Sequence, residues 1–162
     1  MTSNKFQVTS KKHGFTLIEL LIVITIIGIL AVAVLSAINP IEQIRRATDQ
    51  GMESDASELL GGMERYYTAF FEYPWDALNE SDPDEDTVQA SWTAELIDKG
   101  EFKPQFADRD SWDSVYVTLT GSIINLCFDP DSTSFQERAD SEGKNRDGSS
   151  GCVSNCFSCI PK

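Results

Sequence analysis

The chain has 162 residues, 13 of them basic and 26 acidic, for a formal net charge of -13. That length builds one modest globular core plus an extended element, not two independent domains. Acid in such excess repels phosphate backbones, and no Lys/Arg cluster beyond residue 14 offsets it, so general nucleic-acid binding by the folded part is excluded.

Residues 1–14 form a basic leader carrying Lys5, Lys11 and Lys12 and no acid. The single histidine, His13, lies in it as well. A chain without the leader keeps ten basic against 26 acidic residues and has no imidazole for acid–base or metal chemistry. Dinucleotide, Walker, Gly-x-Ser-x-Gly and His-Glu-x-x-His patterns are absent, so neither an enzyme nor a cofactor is expected.

From Phe15 to Ile38 the sequence reads FTLIELLIVITIIGILAVAVLSAI, with Glu19 as its only charge. As a helix it is long enough to cross a hydrocarbon core of ~30 Å. Lys11 and Lys12 precede it, while Arg45 and Arg46 follow beside Glu42, which favours a cytoplasmic amino terminus. A secretory signal places its apolar run before the cut; here the basic stretch comes first, and cleavage at Gly14 leaves the span on the product.

The string Gly14-Phe15-Thr16-Leu17-Ile18-Glu19-Leu20-Leu21 resembles the class III processing site of type IV pilins and pseudopilins, and the likeness is strong over about residues 11–50. The resemblance implies a single-pass precursor in the inner or cytoplasmic membrane. A prepilin peptidase then cuts after Gly14 and methylates Phe15. Glu19 pairs with the amino terminus of a neighbouring subunit in a homo-oligomeric filament built by pilus or secretion machinery. Independently, a carboxylate in a span costs about 3 kcal/mol, which calls for a partner. Gly28 and Pro40 match the stretch that, by the resemblance, loosens in pilin helices when subunits pack; a small-residue packing contact and a helix kink are the equal alternative.

Residues 15–39 are thus expected to form a transmembrane and assembly helix, and 40–72 its amphipathic continuation. Ile41, Ile44, Met52, Ala56, Leu59, Leu60, Met63, Tyr66, Tyr67, Phe70 and Phe71 recur at three-to-four spacing, with Glu42, Arg45, Arg46, Asp49, Glu53, Asp55, Glu58 and Glu64 on the other face. One helix from Phe15 to about Phe71 is ~85 Å long at 1.5 Å per residue. Without a sustained heptad, filament packing is preferred to a coiled coil. Gly61-Gly62 is expected to bend or thin this helix, and Tyr73-Pro74 to stop it.

Residues 73–162 are expected to form the globular head: an acidic loop over 79–86, a short helix near 93–99, strands over 114–120 and 122–128 joined at Gly121, and a third strand near 132–138. The fold class is α+β, a long amino-terminal helix packed on a small antiparallel sheet.

Four cysteines, Cys127, Cys152, Cys156 and Cys159, suit either two disulfides in an oxidising compartment or a four-thiolate zinc site. Disulfides are preferred on the outward-facing, oxidising compartment, and zinc is the weaker reading because Cys127 stands alone; one bridge then involves Cys127, and three connectivities remain open. A redox role for the C-x-x-C pair Cys156 and Cys159 lacks a thioredoxin-like context. In the polar loop 140–151, Asp140, Asn145 and Asp147 are spaced poorly for calcium, so no metal is expected. Asn79-Glu80-Ser81 fits the glycan acceptor pattern, a short motif common by chance. The function implied by the resemblance is that of a structural subunit of a pilus at the cell surface, serving adhesion, motility or DNA uptake, with a pseudopilin of a type II secretion or competence system as the alternative.

Overall fold

The computed structural model describes residues 14–37 and 39–161. The leader lysines and His13 lie outside the described residues. The chain divides into two compact units, Met1–Asn39 and Pro40–Lys162. The amphipathic helix lies in the second unit together with residues 73–161.

The first unit contains helix α1, Leu17–Ala37. The second opens with α2, Pro40–Phe70. The single helix expected from Phe15 to Phe71 is thus two. Asn39 is non-helical because the following proline ring disfavours helical backbone in the residue before it, while Pro40, with no N–H to satisfy, suits a first helical turn. At the far end Phe71 turns left-handed, at φ 62°, and the helix ends at Phe70, two residues short of the expected residue 72. The Tyr73 N–H then donates to Asp76 Oδ2 at 2.9 Å and starts a short helix α3, Pro74–Ala77.

One stripe of α2 is buried: Asp49, Met52, Ala56, Leu59, Gly62, Met63 and Tyr66. Against it pack Trp75, Trp92 and Leu96 of α3 and α4 (Ala90–Asp98), and Leu126 and Phe128 of the sheet. Burying each such large apolar side chain contributes roughly 1.5–3 kcal/mol. The helix expected near 93–99 starts three residues earlier, and Gly100 at φ 82° follows its end as predicted.

Gly61-Gly62 does not interrupt α2, which runs through both glycines. A Cβ on Gly62 would stand 2.1 Å from Phe102 Cζ, so the glycine exists to let that ring reach the helix backbone. Phe102 stacks on Phe106 with centroids 3.7 Å apart, and Phe106 leans on Trp112. The Arg109 guanidinium lies over Phe106 and pairs with Asp55 at 2.6 Å, which locks the stack to α2. Gly62→Ala is expected to lower stability by about 1–3 kcal/mol through overpacking. An unchanged denaturant midpoint would mean that Phe102 swings aside freely.

The sheet is antiparallel in the order β1 (Asp84–Thr87), β2 (Val115–Thr120), β3 (Ile123–Phe128), β4 (Ser158–Ile160). The hairpin β2–β3 turns over Gly121-Ser122, with Gly121 at φ 67°, a left-handed value that glycine adopts without a side-chain clash. Two outer strands differ from expectation. Part of the acidic stretch forms β1, an irregular edge strand with a bulge at Glu85, and its charges blunt edge-to-edge pairing. The third strand expected over 132–138 is instead helix α5, Thr133–Glu142. Ser132 caps it by accepting from the Phe135 N–H, and Gly143 closes it at φ 62°.

Tyr66 is buried, and its hydroxyl donates to Glu95 Oε1 at 3.0 Å. Burial and the Glu95 carboxylate push the phenol up to about 12 from 10. Between those values the unfolded chain releases a proton that the folded chain keeps, so stability falls as pH rises through the window. Tyr66→Phe is expected to flatten this limb in alkaline melts; an equally steep limb would assign the loss to other groups.

Candidate functional site

Gly14 and Phe15 are exposed and non-helical, Phe15 at 84 %. Thr16 and Glu19 then close on each other. Glu19 Oε2 accepts from the Thr16 N–H at 2.8 Å and from its hydroxyl at 2.6 Å, while Thr16 Oγ1 receives the Glu19 N–H at 3.3 Å. This is a reciprocal capping box, with threonine entering the helix and glutamate three residues on. It places the only carboxylate of α1 at the helix end where the macrodipole favours negative charge.

Beyond Glu19 the helix is apolar over Leu17–Ser36 and none of that run is buried, long enough and apolar enough to cross a membrane. Its hydroxyls are satisfied within the helix: Thr25 donates to Ile22 O at 2.8 Å and Ser36 to Ala33 O at 3.0 Å. In hydrocarbon such internal bonding is required. Glu19 is the one charged side chain of this helix, and both of its accepted bonds fall on Oε2 while Oε1 has no partner among the described residues. At Gly28 a Cβ would meet nothing within 4 Å, leaving a shallow notch beside Thr25 and Val32.

The carboxy-terminal cysteines form two disulfides, Cys127–Cys159 and Cys152–Cys156, with Cα atoms 4.1 and 5.7 Å apart. The first joins β3 to β4 at a register pair. All four sulfurs are thereby used, and Cys156 and Cys159 are bonded to different partners, so the C-x-x-C redox reading has no dithiol pair and the zinc reading no thiolates. Residues Tyr116 and Cys127 alternate with the core positions and so point to the sheet face away from α2. There the tail folds back: Phe157 meets Tyr116 edge-on, Gly148 lies against Asn125, and Arg146 sits over Tyr116 while pairing with Glu85 at 2.7 Å.

The side chains considered for calcium are engaged locally. Asp140 Oδ1 accepts from the Cys156 N–H at 2.9 Å, Asn145 donates to Ser149, and the Ser149 hydroxyl and amide hold the Asp147 carboxyl below its ordinary value.

Asp49 was assigned to the polar face and is instead fully buried. Its carboxylate accepts from the Asp131 N–H at 3.0 Å, the Ser132 N–H at 2.8 Å and the Ser132 hydroxyl, tying the start of α5 to α2. Its spacing from Met52 and Ala56, three and seven residues on, was the available signal.

Residues 9–35 match the family model described as the prokaryotic N-terminal methylation motif. No curated protein and no solved structure matches the chain. The matched segment contains Gly14, Phe15, the Thr16–Glu19 box and nearly all of α1.

Proposed function

We propose, with the amino-terminal signal of a type IV pilin-like or pseudopilin precursor as premise, that this chain is a structural subunit of a type IV pilus-like filament. The precursor is stored in the membrane through α1. Cleavage after Gly14 frees the α-amino group of Phe15, which is then methylated, and the subunit polymerises through α1 with its acidic head outward. Adhesion, motility or DNA uptake is carried by the assembly. The observation that supports this best is the uncommitted Oε1 of Glu19, which accepts no hydrogen bond among the described residues. A newly made ammonium on a neighbouring copy supplies the missing partner and offsets the cost of keeping a carboxylate at the edge of hydrocarbon.

Intact mass and amino-terminal sequencing of sheared surface filaments test the reading. The expected product begins at methylated Phe15. A chain still beginning at Met1, or cut beyond the span, would refute it. Processed chain that stays in the envelope without surface filaments would assign it to the secretion pseudopilins instead.

A further inference from the structure

The stripe that α2 buries runs from Asp49 to Tyr66 and ends before the helix does in both directions. At helical spacing the same face continues to Arg45, Ile44 and Ile41 toward the start and to Tyr67 and Phe70 toward the end, and at both ends the head leaves it exposed. Ile41 is 61 % exposed and Ile44 67 %. Past the helix end Phe71, left-handed at φ 62°, is 81 % exposed. A bulky side chain rarely adopts such a backbone, and residues held in it cluster at sites under functional constraint.

The two overhangs carry opposite charge. At the far end Tyr67, Tyr73 and Trp75 form a ladder of rings with centroids 4.7 and 4.9 Å apart, and Tyr66 leans on Phe70. Glu64 and Glu72 are exposed there and make no ion pair among the described residues. Burial raises the Tyr73 phenol above its ordinary value, and Tyr67 and the carboxylates of Glu64 and Asp76 raise it further. An anionic aromatic surface of this kind takes a cation, above all a guanidinium, which stacks on ring faces. At the near end stands Arg45, exposed and with neither an ion pair nor a side-chain hydrogen bond among the described residues. By contrast Arg65, Arg109, Arg138 and Arg146 each pair with a carboxylate, and Arg46 donates to the Ser134 hydroxyl at 3.0 Å.

Ile44 and Tyr67 lie about 35 Å apart along one helix at 1.5 Å per residue, so the two overhangs of a single copy cannot meet. We propose that the Arg45 end of one copy docks on the Tyr67–Glu72 end of a second copy, with the guanidinium against the exposed rings and Glu72 and with Ile41 and Ile44 covering Phe70 and Phe71. This rests on the filament reading given above and names a contact that would build it. Two different patches of identical copies do not close on themselves as a twofold dimer does; repeated, such a contact makes an open helix of subunits. Acid outnumbers base two to one in the chain, so copies repel broadly and come together where their local charges are opposite.

Filaments of the full chain are sheared from cells and quantified for Arg45→Glu, Glu72→Arg and the double variant, at equal levels of processed chain in the membrane. Each single exchange sets like charges against each other and is expected to lower filament yield about tenfold, while the double variant, in which the pair is reversed, restores about half of it or more. In a second measurement a photoreactive benzophenone residue replaces the exposed Phe71, and irradiated filaments are expected to give adducts of twice the chain mass that map to residues 41–46 of the second copy. Adducts that map elsewhere, or that join another protein or lipid, would overturn the docking, as would single exchanges without loss or a double variant no better than the singles. The two readings fail separately: no filaments from the unmodified chain overturns the filament and the docking together, whereas abundant filaments indifferent to the charge exchanges overturn the docking alone.

Discussion

Glu19→Ala is expected to abolish incorporation into filaments while membrane insertion and cleavage after Gly14 proceed. Removing a carboxylate from the span lowers its insertion cost by about 3 kcal/mol, so a loss of filaments cannot be ascribed to failed insertion. The substitution also removes the acceptor of the Thr16 N–H and hydroxyl. A lost cap costs about 1 kcal/mol, too little to abolish assembly by itself. Two further variants separate the contributions. Glu19→Gln keeps an oxygen for Thr16 but no charge and is expected to fail as the alanine variant does, whereas Thr16→Ala weakens the cap, keeps the charge and still assembles. Wild-type filaments from the glutamine variant would show that hydrogen bonding, and not charge pairing, is what assembly requires.

The double variant Cys127→Ala/Cys159→Ala is expected to cost the head about 3.5 kcal/mol, against about 2 kcal/mol for Cys152→Ala/Cys156→Ala, because the first bridge closes the longer loop in the unfolded chain. The two bridges span 32 and 4 residues. The larger figure is a sizeable share of the 5–15 kcal/mol of a typical domain. It also has a structural reading, since β4 is three residues long and the covalent link holds it at the sheet edge over Cys127. The first variant is therefore expected to expose the sheet face covered by Phe157 and Arg146, seen as faster amide exchange in β3, while the second loosens only the 152–156 turn. Equal losses of denaturant midpoint from the two variants would contradict this order.

Several elements were legible because their causes are local. The apolar run, its single carboxylate and the glycine–phenylalanine junction all lie within one short segment, and both the membrane-length helix and the methylation motif are found there. The β2–β3 hairpin was equally plain, since Gly121 sits between two β-branched runs. The α+β arrangement followed from an amphipathic helix that needs a sheet to cover it.

Other features depended on contacts distant in sequence. Residues 132–138 read as a strand until Ser132 and Gly143 are seen capping a helix whose start is held by Asp49, more than eighty residues away. Asp49 itself looked like a surface charge, because an aspartate is buried only when donors arrive from elsewhere, here the amides of Asp131 and Ser132. Gly62 looked like a weak point in a helix and proved to be a seat for Phe102. Among three possible disulfide pairings, strand register chose, since Cys127 and Cys159 face each other across β3 and β4. By itself the sequence determined the methylation motif, the membrane-length helix and Glu19 within it, because that chemistry is written in adjacent residues. Tertiary structure alone decided the cysteine pairing, the buried carboxylate and the covering of the outer sheet face by the tail, because each is set by which groups distant in sequence meet in space.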